Sequence, residues 1–212
     1  MNNKIPDSLI FDMDGTLWDA VDTYAICWNI VLEKHLIKSI TREKLLGMMG
    51  WEKEKVISHY FNNISAAIAD KIFEDIVEVQ DEIIPKIGGK IYDHVVEGIK
   101  ILSKKYKLFI LSNCPPNTIK QFIELAKIET YITDHIAHGY NLKPKHFNMQ
   151  LLIDKHSLKN PFYIGDTLTD STESKKANLP FVYLTYGFGD VETYDLKFDN
   201  FKNFVDHFDG LK

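Results

Sequence analysis

Two aspartates near the N-terminus are the first residues of this chain whose spacing suggests chemistry. Asp12 and Asp14 follow the apolar run Leu9–Phe11, and Gly15 and Thr16 come next. An apolar strand that ends in two carboxylates presents both at the edge of a sheet, and glycine permits the sharp turn that follows. Carboxylates so placed can act as nucleophile, as proton donor or acceptor, or as ligands of a hard metal ion.

Further polar residues stand at the ends of two later apolar runs. They are Ser112 and Asn113 after Leu108–Leu111, and Asp166 after Phe162–Ile164. Asp170 comes four residues after Asp166 and can face the same place from the start of the next helix. Ligands of open α/β sheets bind beyond the carboxyl ends of the strands, so we expect the four aspartates to converge there.

Four converging carboxylates repel one another unless a cation lies among them. Oxygen ligands without a Cys/His set at zinc spacing favour Mg²⁺. The predicted metal-binding residues are Asp12, Asp14, Asp166 and Asp170. A positive side chain is also needed for phosphoryl oxygens. Lys143 in "GYNLKPK" is the predicted one, and Lys145 is a near competitor on spacing alone.

The elements that position these residues alternate between strand and helix in the second half of the chain. Apolar runs bounded by polar residues read as strands buried on both faces, and one more such run is Phe181–Leu184. The predicted helices between them are Asp93–Lys105, Asn117–Lys127, Phe147–His156 and Thr169–Asn178. This alternation predicts an α/β fold with parallel strands and right-handed crossovers.

A stretch after the first strand breaks that rhythm and contains only helical patterns. The predicted helices there are Val21–Ile37, Arg42–Met48, Glu52–Asn62 and Ala66–Ile84. We therefore predict a catalytic core of residues 1–17 and 90–212 with a helical cap domain, residues 18–89, inserted into it. The connecting segments Thr16–Ala20 and Lys86–Tyr92 are the expected hinges.

The motifs "DMDGTLWD", "ILSN", "LKP" and "IGDTLTD", in this order, resemble the four motifs of the haloacid dehalogenase (HAD) superfamily. The helical insert is similar to the small C1-type cap of the phosphoglycolate-phosphatase-like branch. The resemblance implies a Rossmann-like core, with a mostly parallel sheet flanked by helices, and an inserted all-helical cap. After Lys143-Pro144 the chain departs from the common pattern, because it reads Lys145-His146-Phe147.

The same resemblance implies roles for the two N-terminal aspartates. Asp12 matches the nucleophile that forms an aspartyl-phosphate, and Asp14 matches the general acid that then activates water. The Asp14 backbone carbonyl and the Asp12 and Asp166 carboxylates would hold Mg²⁺, and Asp170 would bind the metal directly or through water.

The remaining motif residues would contact the phosphoryl group. Ser112, the Asn113 backbone and Lys143 would bind it, and Gly15 and Thr16 are counted with these phosphate-binding residues. Mg²⁺ and the lysine would offset the repulsion between an anionic nucleophile and an anionic phosphate.

The expected function is that of a Mg²⁺-dependent phosphatase acting on a small phosphorylated metabolite. Haloacid dehalogenases proper lack the second aspartate, as the resemblance implies, so Asp14 favours phosphoryl chemistry. One alternative is a phosphomutase of the same fold, similar to β-phosphoglucomutase. A second is a non-catalytic phosphate-binding protein that retains the fold.

Composition limits the remaining partners. The chain has 212 residues, 45% of them hydrophobic, and a net charge of −5, which gives nucleic-acid binding little support. Two cysteines, Cys27 and Cys114, do not form a disulfide framework. Without an apparent signal peptide or membrane span, the expected protein is cytoplasmic and is a monomer or weak homodimer.

Several other residues invite a functional reading. We expect Asp19 to cap the first cap helix, and we expect structural roles for Cys114 and for the pair His135 and His138. Residues 47–55 could close over the substrate, with Trp51 facing inward, or form a plain turn between helices.

Overall fold

The computed structural model describes residues 5–211 and contains two sheets within them. The strands are β1 (Ser8–Phe11), β2 (Trp18–Asp19), β3 (Lys90–Ile91), β4 (Lys107–Ser112), β5 (Asp134–Ala137), β6 (Pro161–Gly165), β7 (Phe181–Leu184) and β8 (Leu196–Phe198). Six of them form a parallel sheet in the order β5-β4-β1-β6-β7-β8. The first strand therefore lies in the middle of the sheet, between β4 and β6.

The helices described are α1 (Val21–Lys34), α2 (Arg42–Leu46), α3 (Lys53–Tyr60), α4 (Ala66–Ile87), α5 (Val95–Leu102), α6 (Thr118–Ala126), α7 (Lys145–His156), α8 (Leu168–Lys176) and α9 (Phe201–Gly210). Within residues 5–211, none of them combines the length and the apolar character that a membrane crossing requires.

Each face of the large sheet packs against an apolar cluster. Leu9 and Phe11 contribute to one cluster and Ile10 to the other, because successive side chains of a strand point to opposite faces. All three are fully buried. Burial of each such side chain stabilises the fold by about 1.5–3 kcal/mol, so a polar substitution at Ile10 would damage the layer that holds the site.

The four helices α1–α4 form a helical insert between β2 and β3. Their apolar faces join the same cluster as Leu9 and Phe11, and they include Trp28, which stacks on Phe61 with ring centroids 5.9 Å apart. The strands on either side of the insert pair as an antiparallel ribbon, with Trp18 opposite Ile91. The two segments expected to be hinges thus lie side by side.

The α/β fold predicted from the sequence is confirmed, although the bounds of some elements differ. Helix α4 runs through Pro85 to Ile87, three residues beyond the predicted end. Helix α7 begins at Lys145 rather than at Phe147, and this shift matters for the site. Strand β8 and helix α9 were not predicted, although Phe204 and Phe208 of α9 are fully buried.

Candidate active site

The predicted site residues gather at the carboxyl edge of the three central strands. Phe11 at the end of β1 pairs with Ile110 of β4 and with Ile164 of β6. The backbone NH of Asp12 donates to the Ile164 carbonyl at 2.8 Å, which carries the parallel pairing one residue past the strand. Asp12 and Asp166 consequently leave neighbouring strands at the same level.

Three of the four predicted metal ligands form one group. Asp12, Asp166 and Asp170 each offer a carboxylate oxygen, and these oxygens lie within 4.8 Å of one another. All three side chains are buried. Buried carboxylates this close leave an excess of negative charge, and an oxygen donor set suits a hard divalent cation. The residues present therefore fit Mg²⁺.

The lysine of this group is Lys145, not Lys143. The Lys145 Nζ donates to Asp12 Oδ1 at 2.8 Å and to Asp170 Oδ1 at 2.6 Å, and its side chain is 1% exposed. Lys143 is exposed, and its Nζ lies 5.9 Å from the centre of the Phe147 ring. The prediction that Lys143 faces the site is therefore wrong in placement, and the competing residue Lys145 takes that position.

The start of α7 explains why Lys145, and not Lys143, faces the site. Pro144 is the N-cap residue, so Lys145 is the first residue of the helix. His146 fixes this turn, because its backbone NH and its Nδ1 both contact Glu173 Oε2, at 3.0 and 2.6 Å. Lys143 precedes the proline and stays in the loop. We define Asp12, Lys145, Asp166 and Asp170 as the strand-end cluster.

Asp170 has both carboxylate oxygens occupied by protein donors. Oδ1 accepts from Lys145 and, at 3.1 Å, from the Tyr163 hydroxyl. Oδ2 accepts from the Thr167 hydroxyl at 2.6 Å and from the Thr167 NH at 3.0 Å, as part of a capping box. This saturation favours a role in holding Lys145 over direct metal binding.

Asp166 is held by residues on both sides of its carboxylate. Its Oδ1 accepts from the Thr16 hydroxyl at 3.0 Å and its Oδ2 from the Phe188 NH at 2.7 Å. A Cβ at Gly15 would lie 2.1 Å from Asp166 Oδ2, and one at Gly187 would lie 2.3 Å from its Cβ. Glycine at both positions lets the backbone pack against this carboxylate, and the φ of +85° at Gly15 also favours glycine. Gly15 and Thr16, predicted to bind phosphate, thus contact Asp166.

Asp14 lies apart from the metal group and faces the helical insert. Its Oδ1 accepts from the Trp18 indole Nε1 at 3.0 Å and from the Tyr24 hydroxyl at 2.8 Å. Tyr24 belongs to α1, so the insert itself fixes the orientation of this carboxylate. Since both donors bind the same oxygen, Oδ2 remains available for proton exchange.

The pKa values of these groups follow from their burial and charges. Burial, together with the charge of Asp12, raises the pKa of Asp14 to about 7. Burial and the nearby Asp170 raise the pKa of Asp166 well above its usual range. Burial also acts to raise the pKa of Asp170, but the Lys145 ammonium outweighs it and holds that pKa below the usual value. A carboxyl with a pKa near 7 suits acid–base catalysis at neutral pH.

Ser112 ends β4, the strand next to β1, and Asn113 follows it directly. Ser112 is buried at the last position of β4. Asn113 is half-buried, and its Nδ2 donates to the Gly50 carbonyl at 2.9 Å, which joins the core to the loop between α2 and α3. The same loop contributes Trp51 to a cavity that also includes Asp14. Of the two interpretations of this loop, the contacts favour the one in which it faces the site.

The remaining residues of interest take supporting positions. Asp19 Oδ1 accepts from the Val21 NH at 3.0 Å at the start of α1, although the formal N-cap is Ala20. Burial raises the pKa of the Cys114 thiol, which disfavours its thiolate. His138 is buried, and its Nδ1 lies 3.0 Å from the Lys143 carbonyl.

Sequence reasoning missed the donors that orient the carboxylates. Trp18 and Tyr24 follow Asp14 by four and ten residues, and nothing in their spacing marks them as its partners. Thr16, predicted among the phosphate-binding residues, also donates its hydroxyl hydrogen to Asp166, and the sequence does not mark that contact. The position of Lys145 could have been predicted from the sequence. Proline is common at the start of a helix, so Pro144 places Lys145 in the first turn of the helix that follows.

Known proteins resemble this chain both in sequence and in fold. A sequence profile described as haloacid dehalogenase-like hydrolase matches residues 9–184. Phosphoglycolate phosphatases of Aliivibrio fischeri and Vibrio parahaemolyticus are each 23% identical over 196 residues, which cover 87% of this chain and 86% of those proteins.

Solved structures share the fold. A haloacid dehalogenase-like family hydrolase from Streptococcus pneumoniae superposes with a TM-score of 0.84 at 17% identity, covering 98% of this chain and 100% of that one. The profile match extends from β1 to the end of β7 and therefore includes Asp12, Lys145 and Asp166. The chain belongs to the haloacid dehalogenase-like hydrolase family.

Proposed function

We propose that this enzyme is a Mg²⁺-dependent phosphatase that hydrolyses a phosphate monoester through an aspartyl-phosphate on Asp12. The observation that carries the proposal is the separation of two carboxylates with different surroundings. Asp12 contacts Lys145 and belongs to a group of three carboxylates that suits a divalent cation. Asp14 lies outside that group and has a pKa of about 7. The pair therefore divides into a nucleophile and a proton carrier.

In the first step, Asp12 attacks phosphorus and the bond from phosphorus to the ester oxygen breaks. Asp14 gives its proton to the departing alkoxide, so the alcohol leaves neutral. In the second step, Asp14 takes a proton from water as the water oxygen attacks the same phosphorus. The bond from phosphorus to the Asp12 oxygen breaks, inorganic phosphate leaves with the oxygen of the water, and Asp12 and Asp14 return to their starting states.

The other residues hold these groups and the phosphoryl oxygens. Lys145 keeps Asp12 ionised and presents positive charge to the incoming phosphate. The carboxylates of Asp12 and Asp166, with the Asp14 backbone carbonyl, would hold Mg²⁺, and Asp170 would act through Lys145 or a water molecule. When bound, Mg²⁺ supplies the positive charge that offsets repulsion between carboxylate and phosphate. Ser112 and the Asn113 backbone would donate to the phosphoryl group.

We also propose that residues 18–89 act as a cap over a core of residues 1–17 and 90–212. The ribbon of β2 and β3 supports this division, because both connections between the parts run through it. Movement of the cap would shift Tyr24, and so would change the contact that orients Asp14.

Phosphate release from a broad panel of phosphate esters tests the proposed reaction. We expect release that depends on Mg²⁺, stops with a chelator, and needs no bisphosphate activator. Asp12→Asn should lower kcat by a factor of about 10⁴ or more, while the far-ultraviolet circular dichroism spectrum stays unchanged. Absence of Mg²⁺-stimulated turnover across the panel would contradict the proposal. Phosphoryl return to a sugar, dependent on a bisphosphate, would identify a mutase instead.

A further inference from the structure

A large cavity lies between the helical insert and the core, beside the proposed proton carrier. Its volume is about 500 Å³, and Asp14 forms part of its wall. The insert contributes residues such as Trp51, and the core contributes Asn113 and Pro115. Because Asp14 would protonate the departing alcohol, this cavity is where the leaving group would lie. We call it the insert cavity.

The wall contributed by the insert is largely apolar. Its apolar side chains include Trp28, Met48, Trp51, Val56, Phe73 and Val77. Trp28 and Phe73 meet edge to face, with ring centroids 6.2 Å apart. Cavities of this size and lining bury most of the surface of a ligand with one or two rings. A two-carbon leaving group would leave much of this wall in contact with water.

The charged residues of the wall are mostly negative. Two carboxylates, Glu74 and Glu78, line the insert cavity against one ammonium, Lys53, and the third acidic residue of the wall, Asp14, carries its proton when the ester binds. Lys53 is paired with Asp70, at 3.3 Å. The one arginine of the sequence, Arg42, contacts Asp19 and Asp22 and is not among the lining residues. A leaving group with its own carboxylate would therefore meet unfavourable charge.

Within residues 5–211, three polar atoms of the lining residues lack hydrogen-bond partners, and neighbouring wall atoms cover them almost completely. They are His138 Nε2, Asn113 Oδ1 and Gln80 Oε1. His138 Nδ1 faces a carbonyl, so in the neutral ring it carries the hydrogen and Nε2 is an acceptor. Asn113 Nδ2 donates to Gly50, which fixes Oδ1 as the free acceptor.

These acceptors are not satisfied by the surrounding side chains. Glu54 is the nearest charged group to His138, with Oε2 at 3.6 Å from Nε2, and it is itself an acceptor while ionised. Buried acceptors without partners are costly, and a ligand that brings O–H or N–H groups would satisfy them once a small movement of the wall side chains opens them to the cavity.

We propose, on the basis of the phosphatase function above, that the substrate is the phosphate ester of a ring-bearing, predominantly apolar alcohol that carries O–H or N–H donors. The rings lie against the aromatic and methionine side chains of the insert, and the donors bind acceptors among His138, Asn113 and Gln80 as the wall side chains adjust around the ligand. This class differs from phosphoglycolate, the ester after which the relatives from Aliivibrio fischeri and Vibrio parahaemolyticus are named.

A set of primary alkyl phosphates tests this class, because their leaving groups need similar protonation. The esters are 2-(indol-3-yl)ethyl phosphate, its 1-methylindole analogue, propyl phosphate and phosphoglycolate. We expect kcat/KM for the indole ester to exceed that of propyl phosphate and of phosphoglycolate by at least about tenfold. Methylation of the ring nitrogen removes only the donor, and should lower kcat/KM by about tenfold.

A charge placed on the wall provides the matched variant. Val77→Lys should lower kcat/KM for the indole ester and raise it for phosphoglycolate, by about tenfold in their ratio. Ile68→Lys adds the same charge to an exposed position of α4 outside the cavity, and should leave the ratio unchanged.

Binding of the free alcohols separates this inference from the proposed reaction. Titration calorimetry should show 2-(indol-3-yl)ethanol binding to the protein at least about tenfold more tightly than glycolate. Tighter binding of glycolate, or a phosphoglycolate kcat/KM equal to that of the indole ester, would overturn the inference and leave the phosphatase proposal standing. Selective binding of the indole alcohol without hydrolysis of any ester would support the inference and overturn the reaction.

Discussion

The strand-end cluster and the insert cavity meet at Asp14 but differ in how their polar atoms are satisfied. In the cluster, Lys145 donates to two carboxylates, and Asp166 accepts from Thr16 and Phe188. In the cavity, buried acceptors of His138, Asn113 and Gln80 have no partner within residues 5–211. The cluster is already organised for one reaction, whereas the cavity needs a ligand to complete it.

This difference separates the reaction from the choice of substrate. Rigid hydrogen-bonded carboxylates suit a step that is the same for every phosphate ester. Apolar walls with a few free acceptors discriminate among leaving groups. Substitutions in the cluster should therefore affect all esters, and those in the cavity wall should change ratios between esters.

Among changes that leave the nucleophile in place, Asp14→Asn should have the largest effect. Loss of the proton donor should lower kcat/KM for alkyl phosphates by about 10²–10⁴. The loss should be smaller for 4-nitrophenyl phosphate, because its leaving group departs without a proton. Steady-state kinetics on both esters measures the difference. Equal losses for both would show that Asp14 acts in some way other than as the acid.

Lys145→Met should lower kcat/KM by about 10²–10³ for every ester, since it removes a positive group beside the phosphoryl site. It also leaves two buried carboxylates without their ammonium, which should cost about 3–5 kcal/mol of unfolding free energy. Lys143→Met is the matched control, because Lys143 is exposed. Denaturant unfolding and kinetics on both variants measure the contrast. A larger loss of kcat/KM in Lys143→Met than in Lys145→Met would show that Lys143 is the lysine that binds the phosphoryl group.

Thr16→Val distinguishes a residue that supports the metal from one that binds phosphate. The substitution removes the donor to Asp166 Oδ1, and we expect the Mg²⁺ concentration for half-maximal activity to rise about 10–100-fold. Thr172→Val, at an exposed position of α8, serves as control. A rise in KM for the ester without a change in Mg²⁺ dependence would assign Thr16 to phosphate.

The pH dependence of stability should give the smallest effect. Burial raises the pKa of Asp12 to about 6 and that of Asp14 to about 7, from an unfolded value near 4. Groups with raised pKa values stabilise the folded protein at low pH, and that stability is lost as pH rises through the folded values.

Metal-free protein in a chelator provides the measurement. As pH rises from 6 to 8, the Tm of the wild type should fall relative to that of Asp14→Asn by several degrees. For a chain of this size, 1 kcal/mol of unfolding free energy corresponds to about 2–4 °C in Tm. A constant Tm difference across this range would show that Asp14 does not change its charge there.

The sequence predicted the strand-end cluster better than the cavity for a physical reason. Asp12 and Asp166 follow buried strands, and parallel pairing of β1 with β6 brings strand ends together wherever such a sheet forms. For the lysine, the sequence favours Lys143 with Lys145 as competitor, because the start of helix α7, and not the strand pattern, decides which of the two enters the site.

The cavity wall depends on contacts that no local pattern records. Trp28, Met48 and Phe73 come from a helix, a loop and another helix, and each was equally consistent with an ordinary apolar core. The hydrogen bond from Tyr24 to Asp14 likewise depends on how α1 packs against the core. Packing between distant segments therefore decides specificity, and it becomes visible only in the folded structure.

Trapping of the phosphorylated enzyme tests the role of Asp12 most directly. Asp14→Asn should accumulate the intermediate with 4-nitrophenyl phosphate and Mg²⁺, because the variant lacks the base that activates water. Rapid quenching, borohydride reduction and peptide mass spectrometry should find Asp12 converted to homoserine, since borohydride reduces an acyl phosphate to the alcohol. Release of 4-nitrophenol with no reducible group on Asp12, or with the group on another residue, would contradict nucleophilic catalysis by Asp12.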